Sequence, residues 1–379
     1  MIDKSFLLRT LERLLATPSP SGMTDAVVRL TCEILDEIGV EVTLTRRGAI
    51  RAVLPGAAAT PKRAIAAHLD TLGAMVKALK PNGRLEIVPI GFWSSRFAEG
   101  ARVTVYGDTG TWRGTVLPIK ASGHTYNKEI DTLPVDWTQV ELRLDEDATS
   151  VADLMRLGVR VGDTIAVDPG TEFGPNGYVN SRYLDDKAGV ASLLAAAEAV
   201  VRTKAPLPLD VLLLFTISEE VGVGASHILH GNDVAEMISV DNATNAPGQN
   251  SSERGVTIAM MDSAGPFDWH LTRHLLALCR AHGIAHSRDV YRHYRSDAAS
   301  ALEAGNDIRT ALVCFACDAS HGWERTHEDS LVALAQLLAA QMTSAPLFQR
   351  DAAPLGPLAD FPPAEVQTTP DLSEPLTEP

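Results

Sequence analysis

The sequence predicts an α/β fold: a mixed sheet flanked by helices, interrupted after its first quarter by a small all-β segment. Three observations point there. From about Ser181 onward, helical patterns alternate with strand-like runs. Val211 to Ile217 is almost continuously apolar, as a strand covered on both faces should be. Between about Met75 and Asp168 the texture changes to short strand-like runs punctuated by glycines, with few long helical patterns.

Leu7 to Leu15 reads as an amphipathic helix broken by Pro18 and Pro20, and Thr24 to Ile38 as a second that ends at Gly39. Glu41 to Thr45 and Ala49 to Leu54 read as strands joined by a turn at Gly48, and Arg63 to Ala67 as a short buried strand running into His68. The β-segment contributes Leu85 to Pro89, Arg102 to Tyr106, Gly114 to Leu117, Val140 to Leu144 and Thr164 to Val167. Beyond it come a helix from Gly189 to Arg202, the strand Val211 to Ile217 and a strand from Met237 to Val240. A helix from Asp268 to His282, a strand from Thr310 to Phe315 and a helix from Asp329 to Ser344 close the pattern.

With 379 residues the chain holds two domains, or one large domain with an insertion. The expected division is an α/β domain of residues 1–74 and 178–349, an inserted β-domain of 75–177, and a tail of 350–379. From Asp351 the tail is acidic and Pro-rich with no Lys or Arg, and reads as disordered.

Composition narrows the partners. Net charge is −15, which argues against nucleic acid and against an anionic membrane surface. No window approaches the roughly 20 apolar residues of a membrane span. The first helix carries Asp3, Lys4, Arg9, Glu12 and Arg13, so it lacks the uninterrupted apolar stretch of a secretory signal. The expectation is a cytoplasmic protein. Cys314 and Cys317 have C-x-x-C spacing but sit in an apolar run and read as neighbouring buried thiols.

Five segments place metal-type side chains at or near element ends, three of them at strand ends, where open α/β sheets bind ligands. In His68-Leu69-Asp70 the two polar side chains point the same way on an extended chain, so His68 can offer one ring nitrogen to a metal while Asp70 holds the other. Asp185-Asp186 opens an Ala-rich helix. Either one Asp caps that helix, or Asp185 bridges two metals. Glu219-Glu220 follows the apolar strand directly. Two adjacent carboxylates there are costly without positive compensation, which a metal pair supplies, leaving one Glu free as a general base. Asp241 ends the strand Met237 to Val240 and reads as a terminal ligand or a loop cap. His327, in Arg325-Thr326-His327-Glu328, is the preferred source of the remaining nitrogen, ahead of its rival His321.

Together these give two His and three carboxylates as ligands, with one Glu spare. Imidazole with carboxylate suits zinc, with cobalt or manganese as replacements. A lone catalytic zinc needs only three protein ligands, so five favour a pair of divalent ions. Such a pair lies about 3.5–4 Å apart and activates water for attack on a carbonyl carbon.

His68-Leu-Asp70, Asp185-Asp186, Glu219-Glu220, Asp241 and His327 stand in an order that resembles the tetrahedral (glutamyl or deblocking) aminopeptidase family of di-metal peptidases, over about Met1 to Gln349. The resemblance implies a zinc-peptidase-like fold with a small β-barrel-like insert that dimerises, dimers often building twelve-subunit tetrahedra. It implies that His68 and Asp241 bind one metal, Glu220 and His327 the other, and that Asp185 bridges. It makes Glu219 the general base and Asp70 the support of His68. It also implies a cis peptide between Asp185 and Asp186, and makes Ser296-Asp297-Ala298 similar to a segment lining the substrate site. The chain departs from the family in having Thr71 where an acidic residue usually follows the H-x-D, and in its tail.

Thr45-Arg-Arg-Gly-Ala-Ile-Arg51, Pro89-Ile-Gly91 with Trp93 to Gly100, and Lys120 to His124 resemble a bacterial subgroup associated with the osmoprotectant N-acetylglutaminylglutamine amide. That likeness implies a capped dipeptide as substrate. Arg292, His293 and Arg295, ahead of Ser296-Asp297, form either a positive rim that reads a substrate carboxylate or carbonyl, or a solvated loop.

The leading expectation is metal-dependent hydrolysis of a peptide or small amide by a homo-oligomer, dimer to dodecamer. A catalytically silent scaffold held by its metals is the first alternative, and the spare Glu219 argues against it. Glycoside hydrolysis by a carboxylate pair is the second. It needs the two acids about 5–9.5 Å apart across a sugar bond and leaves both histidines without a role.

Overall fold

A computed structural model describes residues 1–362. Helix α1 (Lys4–Leu15) forms because Leu7, Leu11, Leu14 and Leu15 fall on one face, all buried, and because the Asp3 side chain accepts from the Phe6 amide at 3.0 Å. Helix α2 (Asp25–Ile38) ends at Gly39, whose φ of +85° makes a left-handed cap. Strands β1 (Val42–Leu44), β2 (Ile50–Leu54) and β3 (Ala58–His68) follow.

The chain then builds a closed barrel of β4 (Gly73–Leu79), β5 (Leu85–Ile90), β6 (Arg102–Gly107), β7 (Gly110–Pro118), β8 (Val140–Leu144) and β9 (Thr164–Val167), ordered β4-β5-β8-β7-β6-β9. Alternation fills it: Val103, Val105, Val116, Leu142 and Leu144 are buried while Arg102, Arg113 and Arg143 stay outside. Short helices α3 (Gly123–Tyr126) and α4 (Val151–Leu157) lie in its connections. The first barrel strand, β4, was not anticipated as a strand. It is built of Gly, Ala, Met, Val, Lys and Leu, without the turn-bounded alternation that marks its neighbours.

After β10 (Glu172–Phe173) and β11 (Tyr178–Ser181) come α5 (Leu184–Thr203), β12 (Leu209–Thr216), β13 (Val234–Thr244), β14 (Val256–Asp262) and β15 (Gly265–Pro266). Then follow α6 (Trp269–His282), β16 (His286–Val290), α7 (Asp297–Glu303), β17 (Arg309–Cys317), β18 (Glu324–His327) and α8 (Glu328–Thr343). The main sheet runs β1-β2-β12-β3-β13-β17-β14-β15, with β16 beside β14. It is mixed: β12, β3, β13 and β17 are parallel neighbours, while β2 joins β12 and β14 joins β17 antiparallel.

Both faces are covered. In β17, Ala311, Val313, Phe315 and Cys317 join the large core, while Leu312 and Cys314 join a smaller cluster with Ala243, Phe267, Tyr291 and Ala298. Period-two alternation puts these sets on opposite faces. Cys314 and Cys317 are thus unpaired buried thiols, pushed up by burial, as read from the apolar run.

Among the described residues no helix is long and apolar enough to cross a membrane. Glu172–Phe173 pairs with β11 in a three-stranded sheet completed by β18, outside the barrel. The start of the expected disordered tail needs correction. Gln349–Ala352 forms a 3-10 turn, because Arg309 reaches both Asp268 (2.8 Å) and Asp351 (2.7 Å) and pins it. Residues 363–379 of that tail lie outside the described residues.

Candidate active site

The parallel register decides which side chains meet. Thr216 of β12 lies beside His68, the last residue of β3, and Ser239 of β13 lies beside Ala66. Two residues on, Asp241 comes level with His68, and Ser218, Glu219 and Glu220 emerge just past the end of β12. Asp241 lies inside β13, which continues to Thr244 rather than stopping at Val240.

Asp185 and Asp186 enter from the start of α5. Their backbone is not helical (φ −74°, ψ 108° and φ −112°, ψ 24°), Tyr183 before them has φ +68°, and the peptide between them is cis. Helix α5 then packs close under the sheet: a Cβ on Gly189 would collide with the Asp186 carboxylate and Val240.

Asp185 stands at the centre. Its Oδ1 lies 3.2 Å from His68 Nε2, and its Oδ2 lies 3.2 Å from His321 Nε2 and accepts from Asn242 Nδ2 at 2.7 Å. Glu219 Oε2 is 3.9 Å from His68 Nε2, and Glu220 Oε2 is 3.7 Å from His321 Nε2. Two groups result, His68-Asp185-Asp241 and Asp185-Glu220-His321, each with ligand atoms within 4.8 Å of one another, sharing Asp185. Both imidazoles have their Nδ1 occupied. His68 Nδ1 is 2.9 Å from the Asp70 carbonyl and His321 Nδ1 is 2.7 Å from the Phe92 carbonyl. A carbonyl only accepts, so each Nδ1 carries its proton and each Nε2 is the ring nitrogen turned toward Asp185 and free to bind a cation.

His327 is the correction. The structure does not bring it to this group. Its Nε2 meets the Asn176 carbonyl at 2.9 Å, its Nδ1 accepts from the Asp329 amide at 3.0 Å where it caps α8, and its ring stands edge-on to Tyr178. Every polar atom of the ring is used by the three-stranded sheet and the helix start. His321 takes the expected place, on a tight loop after β17 with φ +63°. Asp70 also acts differently from expectation. It supports His68 through its main-chain carbonyl, while its carboxylate, 3.8 Å from the ring, accepts from the Glu219 amide at 3.1 Å and from Ser21 Oγ.

Three supporting residues escaped the sequence reading. Glu324 clamps two backbones at once, its Oε2 accepting from the Asp185 amide at 3.2 Å and its Oε1 from the His321 amide at 2.8 Å. Asn242 holds Asp185, and the Phe92 carbonyl comes from a barrel connection. Only the tight loop left a readable trace, in the Gly322 that follows His321.

The charges do not balance. Burial first, then neighbouring acids, raises Glu219, Asp241 and Asp186 well above the usual carboxylate range and pushes Glu220 up to about 8. Burial opposes protonation of His321, yet Asp185 and Glu220 hold it up at about 11. His68 is raised in the same way by Asp185 and Glu219. Burial would also raise Asp185, but its bonds to both imidazoles outweigh that and keep it well below. Asp186 Oδ1 and Glu220 Oε1 are buried without a hydrogen-bond partner. Imidazole and carboxylate donors, excess negative charge and orphaned oxygens fit a pair of divalent cations.

A cavity of about 1000 Å³ adjoins the cluster, with His321 and Tyr294 in its wall. Of the expected substrate-side residues, Arg292 lines this cavity, beside His293. Arg295 instead pairs with Glu303 at 2.7 Å. Ser296 is buried at the start of α7. Asp297 is buried too, and accepts from Thr216 Oγ1 (2.6 Å) and the Ala225 amide (2.8 Å), so it fixes the Glu219 loop from behind. A Cβ on Gly224 would strike that carboxylate, which is why the loop needs glycine there.

Residues 48–337 match the model of the M42 glutamyl aminopeptidase family. The provisionally named aminopeptidase YhfE of Bacillus subtilis (strain 168) is 36% identical over 332 residues, covering 87% of this chain and 95% of its own. A TET aminopeptidase from the marine sediment archaeon Thaumarchaeota archaeon SCGC AB-539-E09 superposes with a TM-score of 0.83 at 18% identity, over 91% of this chain and 98% of that one. The Pyrococcus horikoshii TET1 peptidase, described as assembling into a tetrahedron or a large octahedral shell, gives 0.78 at 20% identity, over 89% and 100%. At those identities the superpositions speak for the fold; the family match and the Bacillus relative carry the assignment, and the chain belongs to the M42 glutamyl aminopeptidase family.

Proposed function

We propose that this chain is an aminopeptidase-type amide hydrolase working with two zinc ions, for which cobalt or manganese can substitute. The observation that carries this reading is the pair of donor groups that share Asp185. His68, Asp185 and Asp241 would hold one ion, and Asp185, Glu220 and His321 the other. When bound, the ions polarise the scissile carbonyl and lower the pKa of a water. Glu219 is left with a carboxylate beside both groups. It takes the proton of the attacking water and passes it to the departing amine. Asp70 aims Glu219 through its amide, and the Phe92 and Asp70 carbonyls keep both imidazoles in the ligating tautomer.

The cavity sets the substrate. Its one lining carboxylate, Asp289, is occupied by the amides of Asn250 and Val290, both at 2.8 Å, whereas Arg292 and His293 offer donors. That favours, as a second reading, an N-capped dipeptide such as N-acetylglutaminylglutamine amide over a free amine. We also take the protein to act in the cytoplasm, in keeping with its unpaired cysteines, and to assemble through its barrel into dimers or larger shells.

The test is a metal assay with a hydrolysis screen of free and N-acetylated dipeptides. Two ions per chain with chelator-sensitive cleavage are expected. A metal-loaded protein that cleaves neither class refutes the reading and favours the silent scaffold. Chelator-resistant cleavage of a glucan would instead favour the glycoside alternative.

A further inference from the structure

Behind the Glu219 loop, on the side of β1 and β2, lies a second cavity of about 710 Å³. Its wall includes Arg46, Arg47, Arg51, His227, His230 and Ser218, and none of its lining residues is acidic. In a chain of net charge −15 this is a concentrated exception. Several exposed arginines elsewhere have carboxylate partners: Arg113 pairs with Asp168, and Arg325 with Glu253 at 2.9 Å.

Among the described residues no carboxylate pairs with Arg46, Arg47 or Arg51. The guanidinium of Arg51 reaches only the main-chain carbonyls of His227 (3.3 Å) and His230 (3.1 Å), and its Nε is buried with no partner at all. Arg47 uses one nitrogen, on Ser218, and keeps its remaining donors. The imidazoles of His227 and His230 stack 5.1 Å apart. Arg46 and Arg47 are presented by the tight turn between β1 and β2, closed by the Gly48 amide on the Thr45 carbonyl at 3.0 Å.

We propose that this cavity is a binding site for a small oxyanion-bearing ligand, one carrying a carboxylate or phosphate group. Planar guanidinium forks that converge on a concave wall without a counter-charge match such a group in shape and sign. The volume suits a metabolite rather than a lone ion. The unsatisfied Arg51 Nε is a buried donor that a bound oxygen would satisfy. This inference is independent of the proposed hydrolysis, since none of these side chains belongs to either donor group around Asp185.

The test is titration calorimetry on the metal-loaded, full-length protein at fixed chloride, with inorganic phosphate in one arm and succinate in the other. Saturable binding of at least one is expected, and the tighter arm identifies the ligand's anionic group. Arg46→Gln with Arg47→Gln, both on an exposed turn, should weaken it at least tenfold with the melting temperature in buffer unchanged. Glu219→Gln should leave it intact. Absence of saturable binding in the parent protein overturns the proposal, and so does equal affinity in the double variant, which would place the anion elsewhere. Failure of the hydrolysis reading would show as lost turnover in the dipeptide screen and would leave these titrations unchanged.

Discussion

Strands β3 and β13 each carry two buried charged residues, and the two ends of that strand pair behave oppositely. Arg63 and Glu236 sit side by side near the start; His68 and Asp241 sit five residues further along each strand, roughly 16 Å away. At the first end everything is satisfied. Arg63 binds Glu236 and the carbonyls that end α8, including Ser344 at 3.2 Å, and Gln341 Nε2 donates to Glu236 at 2.8 Å. At the other end acids outnumber bases and oxygens are left orphaned. A balanced buried cluster fastens a helix to a sheet. An unbalanced one is built around a charge that the chain itself does not supply.

The comparison can be broken most forcefully at Glu219. Glu219→Gln is expected to lower kcat by about 10²–10⁴-fold, with metal content and melting temperature nearly unchanged, in a steady-state assay paired with metal analysis. At the balanced end, Arg63→Met strands Glu236 and should cost about 3–5 kcal/mol in denaturant unfolding. Adding Glu236→Leu should recover much of that, and neither change should alter metal content. Chelation acts only at the unbalanced end. Each ion present at about 100 times its dissociation constant stabilises by about 2.7 kcal/mol, so a chelator should lower the melting temperature of the parent protein.

The smallest effect sharpens the balanced end. His274, 3.1 Å from Ser344, is held below its ordinary value by burial. The unfolded chain therefore binds the proton more readily. Stability is complete above about pH 6.5 and declines as pH falls toward the folded value. His274→Asn should narrow the gap in melting temperature between pH 7.5 and 5.5 by on the order of 1 °C.

The sequence carried the architecture because the period of its apolar residues changes where the fold changes: runs such as Val211 to Ile217 for the sheet, glycine-bounded alternation for the barrel. It singled out His68, Asp185, Glu220 and Asp241, which the fold gathers into the two donor groups, because each lies at the end of a legible element or close to it. The choice between His321 and His327 went the wrong way for a physical reason. His327 looked like the start of a helix, and it is one; that task uses its ring. The rule that pointed to Glu219 and Glu220, the loop past a parallel strand's carboxyl end, favours His321, four residues beyond Cys317. Glu324, Asn242 and the Phe92 carbonyl were out of reach, because their roles depend on segments brought together only by folding.

The most direct measurement is the metal content of the parent protein, His321→Ala and His327→Ala, each purified identically and read by inductively coupled plasma mass spectrometry. Two ions per chain are expected in the parent and in His327→Ala, and no more than one in His321→Ala. Full occupancy in His321→Ala with loss in His327→Ala would contradict the placement of the second ion and, with it, the shared-carboxylate site.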